Sequence, residues 1–171
     1  ESVLDRYTYD PMFTIDKKTI RYGLKLDKNY IVQLYYDNGL FVESAGDQEL
    51  VIKHVVHMLS LNNNLDIIHN HFMGSNLEEI FNKYKGTPIC LDINLEISLF
   101  RAIIHQQISM KAAFTLTRRF LDEFGVCIDN VYFFPSVQSI ASLNTSDLTN
   151  LKFNNAKANY LINTAKLIVE G

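Results

Sequence analysis

Two adjacent glutamines, Gln106 and Gln107, lie between two segments whose apolar residues recur at helical spacing. A glutamine amide carries both donors and an acceptor, so it can enter a stack of bases and replace hydrogen bonds that were lost there. Ser109, two residues later, is a favourable N-cap for the second helix, because its side-chain oxygen can accept from a free N–H group of the first turn. Taken alone, the glutamine pair is more typical of an ordinary exposed helix end.

The residues around this pair predict two packed helices joined by an uncharged polar turn. The turn consists of His105, Gln106 and Gln107, which we call the amide corner. The two apolar faces are Leu99, Phe100, Ile103 and Ile104 on the first helix, and Ala112, Ala113, Leu116 and Phe120 on the second. The basic residues of the second helix lie off its apolar face: Lys111, Arg118 and Arg119. The sequence therefore predicts that the amide corner lies outside the core, where it is accessible to a binding partner.

The five histidines do not have the spacing of a metal site. His54 and His57 share one predicted helix and His69 lies near His71, but no third and fourth ligand is spaced near either pair. A zinc site needs about four convergent ligands. The helical period turns His54 inward and leaves His57 and His69 at the surface. Glycine-rich phosphate loops and the G-x-S-x-G turn do not occur either. We therefore expect no metal ligand, and the motifs assign no catalytic residue.

The first part of the chain has the pattern of a small antiparallel sheet. Runs rich in Ile, Val, Tyr and Phe cover residues 19–26, 30–36 and 40–44. Polar turns separate these runs, and Asp37-Asn38-Gly39 is a strong hairpin signal. Helices are predicted over residues 2–9 and 47–59, and the second of them covers one side of the sheet.

The strand pattern ends at Asn62-Asn63-Asn64, and this polar break predicts a domain boundary. Every later element is predicted as helix. Besides the two helices of the amide corner, these helices cover residues 65–72, 77–84, 136–143, 146–151 and 155–169. The predicted domains are a sheet-plus-helix domain, residues 1–62, and a helical domain, residues 63–171. The fold class is therefore α+β.

Composition limits the class of protein. The chain has 171 residues, 47% of them hydrophobic, and a net charge of −3, which argues against a strongly basic nucleic-acid binder. Residues 1–99 carry 9 Lys and Arg against 14 Asp and Glu, and residues 100–171 carry 7 against 5. This asymmetry permits a phosphate-facing surface in the second part. No run could span a bilayer. Cys90 and Cys127 are expected to be reduced and buried, which indicates a cytoplasmic setting.

The amide corner and the residues after it resemble the helix-hairpin-helix DNA glycosylases, and within them the DNA-3-methyladenine glycosylase II type. The motifs that carry the resemblance are Ala102-Ile103-Ile104-His105-Gln106-Gln107-Ile108-Ser109, Lys111-Ala112-Ala113, Arg119-Phe120, Phe134-Pro135-Ser136 and Ala156-Lys157-Ala158-Asn159-Tyr160-Leu161. His105 stands where this family often has glycine. The resemblance implies a TATA-binding-protein-like sheet with helices, followed by an incomplete all-α glycosylase bundle.

The resemblance also implies roles for four residues. Gln107 would wedge into the DNA helix where a damaged nucleotide is flipped out, and Gln106 would support it. Ser109 and Lys111 would lie near the phosphates. The implied partner is double-stranded DNA with a damaged base, and the implied reaction is hydrolysis of the N-glycosidic bond of an alkylated purine of the 3-methyladenine type. A cationic alkylated base already leaves readily, so this chemistry requires no metal or organic cofactor.

In this family a hairpin of the pattern L-P-G-[IV]-G and the essential Asp would follow Gly171. We therefore expect these 171 residues to lack the catalytic Asp and to be inactive by themselves. A non-enzymatic DNA-binding or scaffold protein is the alternative, and a helical protein-interaction module unrelated to DNA is a third reading. An incomplete bundle would expose apolar surface, for instance along residues 155–169, so a homodimer through that surface is also expected.

Overall fold

The structure is a computed structural model that describes residues 7–87 and 89–171. The strands are β1 (Phe13–Asp16), β2 (Thr19–Lys25), β3 (Asn29–Tyr36), β4 (Leu40–Glu43), β5 (Val126–Ile128) and β6 (Val131–Phe133). The helices are α1 (Gln48–Met58), α2 (Leu65–His71), α3 (Glu78–Lys83), α4 (Leu95–His105), α5 (Met110–Phe124), α6 (Val137–Ala141), α7 (Thr145–Asn150) and α8 (Asn155–Glu170). This mixture confirms the α+β class. The helix predicted over residues 2–9 falls largely outside the described residues.

The strands β1 to β4 form one antiparallel sheet in chain order. Three of them match the predicted runs to within a residue, and Asn38 takes the positive φ of 52° that suits its hairpin turn. The sequence prediction lacks β1, because this strand has four residues and turns into β2 through Lys17 and Lys18 rather than through an Asn or Gly pair. Phe13 of β1 pairs with Tyr22 of β2, and their rings pack 5.5 Å apart.

Helix α1 begins where the sequence predicts, because the Asp47 side chain accepts a hydrogen bond from the Leu50 amide at 3.1 Å. Val51 and Val55 are fully buried and belong to the same core cluster as the sheet. The apolar pattern of the sequence also predicts Leu50 on the inner face, but Leu50 is exposed, since it lies one position off the stripe through Val51, Val55 and Met58. The helix therefore covers the sheet with a narrower face than predicted.

The second part of the chain is not entirely helical, which corrects the prediction. Strands β5 and β6 form a hairpin whose two turn residues, Asp129 and Asn130, have φ of 51° and 61°. The hairpin packs closely on β2, where a Cβ atom on Gly23 would lie 2.6 Å from the Tyr132 carbonyl oxygen. Thr14 of β1 donates to the Asn130 carbonyl at 3.0 Å. We call the packing of this hairpin against β1 and β2 the hairpin seam. It joins the sheet to the helical part.

The helices α4, α5 and α8 form the centre of the helical part. Helices α5 and α8 agree with their predicted positions, whereas α4 begins at Leu95, four residues before the predicted stretch that starts at Leu99. Helix α7 begins at Asn144, which forms a capping box with Asp147, rather than at the predicted Ser146. One buried cluster contains residues from both predicted domains, from Val32 of the sheet to Leu161 of α8. The division between residues 62 and 63 stays a prediction.

Two further expectations concern the surface. Cys90 and Cys127 are both free, but Cys127 is exposed and Cys90 half-buried, because β5 lies at the outside of its hairpin. The expected burial of both thiols is therefore wrong. Among the described helices none is long and apolar enough to cross a membrane. The cytoplasmic setting stays a prediction.

Candidate functional site

The amide corner lies at the surface between the end of α4 and the start of α5. Gln106 leaves the helix with extended backbone angles, φ −60° and ψ 133°, and Gln107 then adopts a left-handed φ of 59°. Both glutamine side chains are exposed. A left-handed conformation costs a residue with a Cβ roughly 1–2 kcal/mol. The surrounding contacts must therefore hold the backbone of Gln107 in place.

Lys157, from the first turn of α8, provides one of these contacts. Its ammonium donates to the carbonyl oxygen of Ile104 at 2.6 Å and to that of Gln106 at 2.5 Å. The side chain is buried, and burial lowers the pKa of the Lys157 ammonium below its usual value. A cation at the C-terminal end of a helix satisfies carbonyls that have no partner in the helix. Lys157 thus caps the C-terminal end of α4 from the buried side of the corner.

His105 supports the corner from the other side. Its Nε2 atom lies 3.0 Å from the hydroxyl of Thr117, a fully buried residue of α5, and its ring packs edge-on against Phe114. Burial, followed by the nearby Arg101 guanidinium, lowers the pKa of the His105 imidazole, which is therefore neutral near pH 7. A neutral ring adds no charge to the corner, so the two glutamine amides determine its chemistry.

Ser109 and Lys111 follow the corner directly. The Ser109 hydroxyl oxygen accepts from the Ala112 amide at 3.3 Å, as predicted for the N-cap of α5. The first turn of α5 contains no acidic residue, so its free N–H groups keep a positive potential. Lys111 is exposed, and no described residue forms a salt bridge or side-chain hydrogen bond with its ammonium. This end of α5 is therefore suited to a phosphate.

The two arginines of α5 are engaged within the protein. Arg118 forms an ion pair with Asp122 at 3.1 Å and lies over the Tyr132 ring, 4.5 Å from its centroid. Arg119 donates to the Leu151 carbonyl at 3.4 Å. Of the three cations on α5, Lys111 is therefore the one left for an external anion, as far as the described residues go.

A cavity of about 420 Å³ adjoins the corner and is lined by His105, Met110 and Phe114 together with three charged groups. The charged groups are Asp10, Asp92 and Arg101. The Arg101 guanidinium donates to Asp92 at 2.6 Å and also forms an ion pair with Asp10. Two carboxylates around one guanidinium leave the cavity with a net charge of −1. A ligand that carries a positive charge and a flat face would suit this cavity.

A larger open groove of about 810 Å³ continues from Met110 along the outer face of α5. Its lining includes the exposed ring of Tyr9 and the three cations Lys111, Arg118 and Arg119. Asp10 also lines this groove, so three cations and an aromatic ring lie here beside one carboxylate, whereas two carboxylates flank one guanidinium in the neighbouring cavity. The groove therefore suits an anionic backbone, and the cavity suits a cation.

The histidines outside the corner behave differently from the prediction in one respect. His69, expected at the surface, is buried between α2 and α3, where its Nδ1 atom lies 3.2 Å from the Phe81 carbonyl oxygen. Helix α3 supplies this cover, and the pattern of α2 alone could not reveal it. His54 is half-buried as expected, and burial followed by the charge of His57 lowers the pKa of its imidazole. Within residues 7–87 and 89–171, no group of three or more His, Cys, Asp or Glu side chains could hold a metal ion.

Sequence reasoning located the four predicted site residues but missed what holds them. Gln106, Gln107, Ser109 and Lys111 all lie on one surface, at the corner and the first turn of α5. Lys157 was missed, although a lysine in the first turn of a helix opposes the helix dipole and is a usable signal. The group of Asp10, Asp92 and Arg101 was missed because its members are far apart in sequence. The assigned roles of the four residues remain predictions.

Comparison with known proteins finds a matching family model for the second part of the chain. Residues 100–170 match the family described as the HhH-GPD superfamily base excision DNA repair protein. The Bacillus subtilis (strain 168) protein YfjP, provisionally named a DNA-3-methyladenine glycosylase, is 32% identical over 100% of this chain and 63% of its own length. A second protein of that organism, named DNA-3-methyladenine glycosylase, is 27% identical over 85% of this chain and 49% of its own length.

Solved structures agree on the fold. The 3-methyladenine DNA-glycosylase of Archaeoglobus fulgidus has a TM-score of 0.80 and 22% identity, covering 91% of this chain and 58% of that one. The Clostridium acetobutylicum 8-oxoguanine glycosylase/lyase, in complex with DNA, has a TM-score of 0.77 and 13% identity, covering 99% of this chain and 59% of that one. The chain therefore spans less than two thirds of the length of each of these proteins.

Proposed function

Since residues 100–170 match the family described as the HhH-GPD superfamily base excision DNA repair protein, we propose that the amide corner opens damaged double-stranded DNA. Gln107 enters the base stack where a damaged nucleotide leaves it, and Gln106 supports it from the adjacent position. The observation that carries the proposal is the exposed, left-handed Gln107 between two packed helices. Flipping a nucleotide costs a few kcal/mol of unstacking, which an inserted amide offsets in part.

Phosphate contacts position the corner on the duplex in this proposal. The Ser109 hydroxyl accepts from the Ala112 amide and still has a proton to donate to a phosphate oxygen. Lys111 lies in the same turn and supplies a charge that has no counter-ion among the described residues. The N-terminal end of α5 adds its own positive potential. These contacts bind any sequence, so they set affinity and register while the glutamines sense the opened stack.

The cavity beside the corner supports an alkylated purine as the substrate. A purine alkylated at N3 or N7 carries a positive charge, and the carboxylates of Asp10 and Asp92 outnumber the guanidinium of Arg101 around the cavity. Phe114 offers an aromatic face on which an electron-poor base can stack. An undamaged neutral purine gains less from the negative charge. We therefore assign this chain to the DNA-3-methyladenine type of glycosylase.

The proposed reaction is hydrolysis of the N-glycosidic bond. The bond between the sugar C1′ and the base nitrogen breaks, and the base leaves with the electron pair and becomes neutral. Water then adds to C1′ and releases one proton to the solvent, which leaves a hydroxyl group on the sugar. A carboxylate near C1′ stabilises the positive charge that develops on the sugar. Both carboxylates of the cavity are already bonded to Arg101. We therefore expect the 171 residues by themselves to bind DNA without releasing a base.

The test measures binding to three duplexes: an undamaged one, one with a mismatch, and one with a tetrahydrofuran abasic-site analogue. The chain should prefer the abasic duplex, and Gln107→Ala should weaken that binding about tenfold, which corresponds to about 1.4 kcal/mol. Gln138→Ala removes another exposed glutamine, on α6, and serves as the matched control. Equal affinity of wild type and Gln107→Ala for the abasic duplex would refute the role of the corner.

A second assay separates the enzyme from the alternative of a non-enzymatic DNA-binding or scaffold protein. Methylated DNA is incubated with the 171 residues and with any longer natural form of the chain, and free 3-methyladenine is measured. Release by the longer form alone agrees with the proposal. Release by the 171 residues would contradict the expected inactivity, and binding without release by any form would favour the scaffold.

The exposed apolar side chains of α8 support a further proposal, which is self-association of the chain. Four apolar side chains of this helix are exposed, namely Tyr160, Leu167, Ile168 and Val169. A second copy could cover them by packing its own α8 against the first. Light scattering over a range of concentrations should then detect dimers. A strict monomer at high concentration would count against this proposal.

A further inference from the structure

We propose that Lys157 is a positioning residue, which fixes the backbone of Gln107 so that its side chain faces the DNA. This inference rests on the proposed function of the amide corner. Lys157 is 50 residues away from the corner in sequence and lies beneath it in the fold. Its side chain is buried, so it has no contact with DNA itself. It acts on the duplex through Gln107 alone.

The link from Lys157 to Gln107 is a single peptide group. The Gln106 carbonyl, which accepts from the Lys157 ammonium at 2.5 Å, belongs to the same planar unit as the Gln107 nitrogen. Holding that plane fixes the axis about which φ of Gln107 turns. The second bond, to the Ile104 carbonyl at 2.6 Å, ties the same ammonium to the last turn of α4. Together the two bonds set the direction in which Gln107 leaves the helix.

The placement of Lys157 is unfavourable for its own helix. A cation in the first turn of α8 opposes the dipole of that helix, and no acidic residue in the same turn compensates for it. Burial of the ammonium adds a desolvation cost. The two carbonyls at the end of α4 offset both effects. The residue is therefore placed to serve the amide corner rather than α8.

The end of α4 needs this support. Gln106 leaves α4 in an extended conformation, and the left-handed Gln107 follows it immediately. In an unclamped corner Gln107 is free to relax to the β or right-handed region, which swings its side chain away from the surface. The duplex would then have to restore the left-handed form during binding. A fixed corner avoids that ordering cost.

A double-mutant cycle tests the inference. Lys157→Met keeps an unbranched side chain that is one atom shorter and removes its donors, Gln107→Ala removes the wedge, and the third variant combines both. Affinity is measured for the abasic-site duplex and for undamaged duplex. We expect each single variant to lose most of the roughly tenfold preference for the abasic duplex. The double variant should lose no more than either single one, because Lys157 acts through Gln107.

Three control variants separate positioning from stability. Asn154→Ala removes the N-cap of α8, which accepts from the Lys157 amide at 2.8 Å, so it weakens the helix while leaving the ammonium in place. Lys166→Met removes an exposed lysine of the same helix. Lys157→Arg restores a donor. We expect the first two variants to keep the preference for the abasic duplex, and Lys157→Arg to recover most of it.

The outcomes are distinct. If Gln107→Ala keeps the preference, the proposed function fails and the inference fails with it. If Gln107→Ala loses the preference and Lys157→Met keeps it, the proposed function stands and the inference is wrong. Additive losses in the double variant, or an equal loss in Asn154→Ala, would also overturn the inference. A shared, non-additive loss that Lys157→Arg restores supports it.

Discussion

The amide corner and the β5–β6 hairpin turn both contain residues with positive φ, yet the sequence supports them differently. The hairpin uses Asp129 and Asn130, residue types that tolerate the left-handed region, and its turn is sealed against the sheet. The corner uses Gln107, a type with no such tolerance, at φ 59°. In the hairpin the residue types suit the backbone, whereas in the corner buried polar contacts impose the backbone.

This difference bears on the proposed role of the amide corner. In the hairpin the residue types tolerate the left-handed region, so the conformation of the turn needs no functional explanation. Gln107 holds a left-handed conformation at the surface, and this observation motivates the role proposed for its side chain. In the proposed function, the contacts of Lys157 with the Ile104 carbonyl and of Thr117 with His105 hold the corner in which Gln107 lies.

The largest effect is expected at the hairpin seam. In Gly23→Ala, the new Cβ atom would meet the Tyr132 carbonyl oxygen at 2.6 Å and the Phe133 ring at 2.9 Å. A clash with backbone cannot be relieved by a rotamer change, so we expect the free energy of unfolding to fall by about 2–3 kcal/mol. Urea denaturation measures it. A loss below about 0.5 kcal/mol would show that the seam is looser than described.

Substituting glycine for the strained residues sharpens the comparison directly. Gln107→Gly removes the Cβ strain, so we expect the free energy of unfolding to rise by about 0.5–1 kcal/mol while the preference for damaged DNA is lost. Asn130→Gly should change stability less and leave DNA affinity unaltered, because asparagine already tolerates this conformation. Both quantities come from denaturation and binding titrations. Destabilisation by Gln107→Gly would contradict the assignment of strain to the corner.

The corner should also respond to pH through His105. Burial and the Arg101 guanidinium lower the pKa of His105 in the folded protein below the value of 6.5 for an unperturbed histidine. The unfolded chain therefore takes up the proton first as the pH falls. The contribution of the neutral His105 ring to the free energy of unfolding is complete above pH 6.5, and it disappears as the pH falls through the pKa of His105 in the folded protein.

Denaturation curves between pH 7.5 and pH 5 of the wild type and of His105→Gln test this expectation. His54 titrates in the same direction, so the difference between the two curves isolates His105. We expect the wild type to lose more stability than His105→Gln below pH 6.5. Parallel curves would mean that the ring is not held in its neutral form.

The smallest effect is expected at Lys111. Lys111→Ala should weaken binding to all duplexes alike, and the slope of log affinity against log salt concentration should fall by about 0.9, because one phosphate contact is lost. Lys166→Ala, on α8, is the matched control and should leave the slope unchanged. A loss confined to damaged duplex would give Lys111 a role in lesion recognition instead.

The sequence predicted the corner well because its signals are local. The apolar periods of α4 and α5, the Ser109 cap and the polar residues between them fall within thirty consecutive positions. The hairpin β5–β6 was missed although Asp129 and Asn130 separate two short apolar runs, which is a usable signal. Strands of three residues are too short to stand out beside long helical patterns.

The partners of Lys157 and the Asp10 partner of Arg101 could not be predicted, because they are distant from these residues in sequence. Arg101 and Asp10 are 91 positions apart, and Lys157 and Ile104 are 53 apart. Nothing in the local pattern of α8 indicates which carbonyl an inward-facing lysine will reach. Only the packing of α8 under the end of α4 brings those groups together.

The most direct test of the central claim follows a single nucleotide. A duplex carrying 2-aminopurine in a mispair is titrated with wild type and with Gln107→Ala, and binding is followed by anisotropy on a separate label. At saturation the wild type should raise the 2-aminopurine fluorescence severalfold, as the base leaves the stack, and Gln107→Ala should leave it near its starting value. An equal rise with both proteins would contradict insertion of Gln107 into DNA.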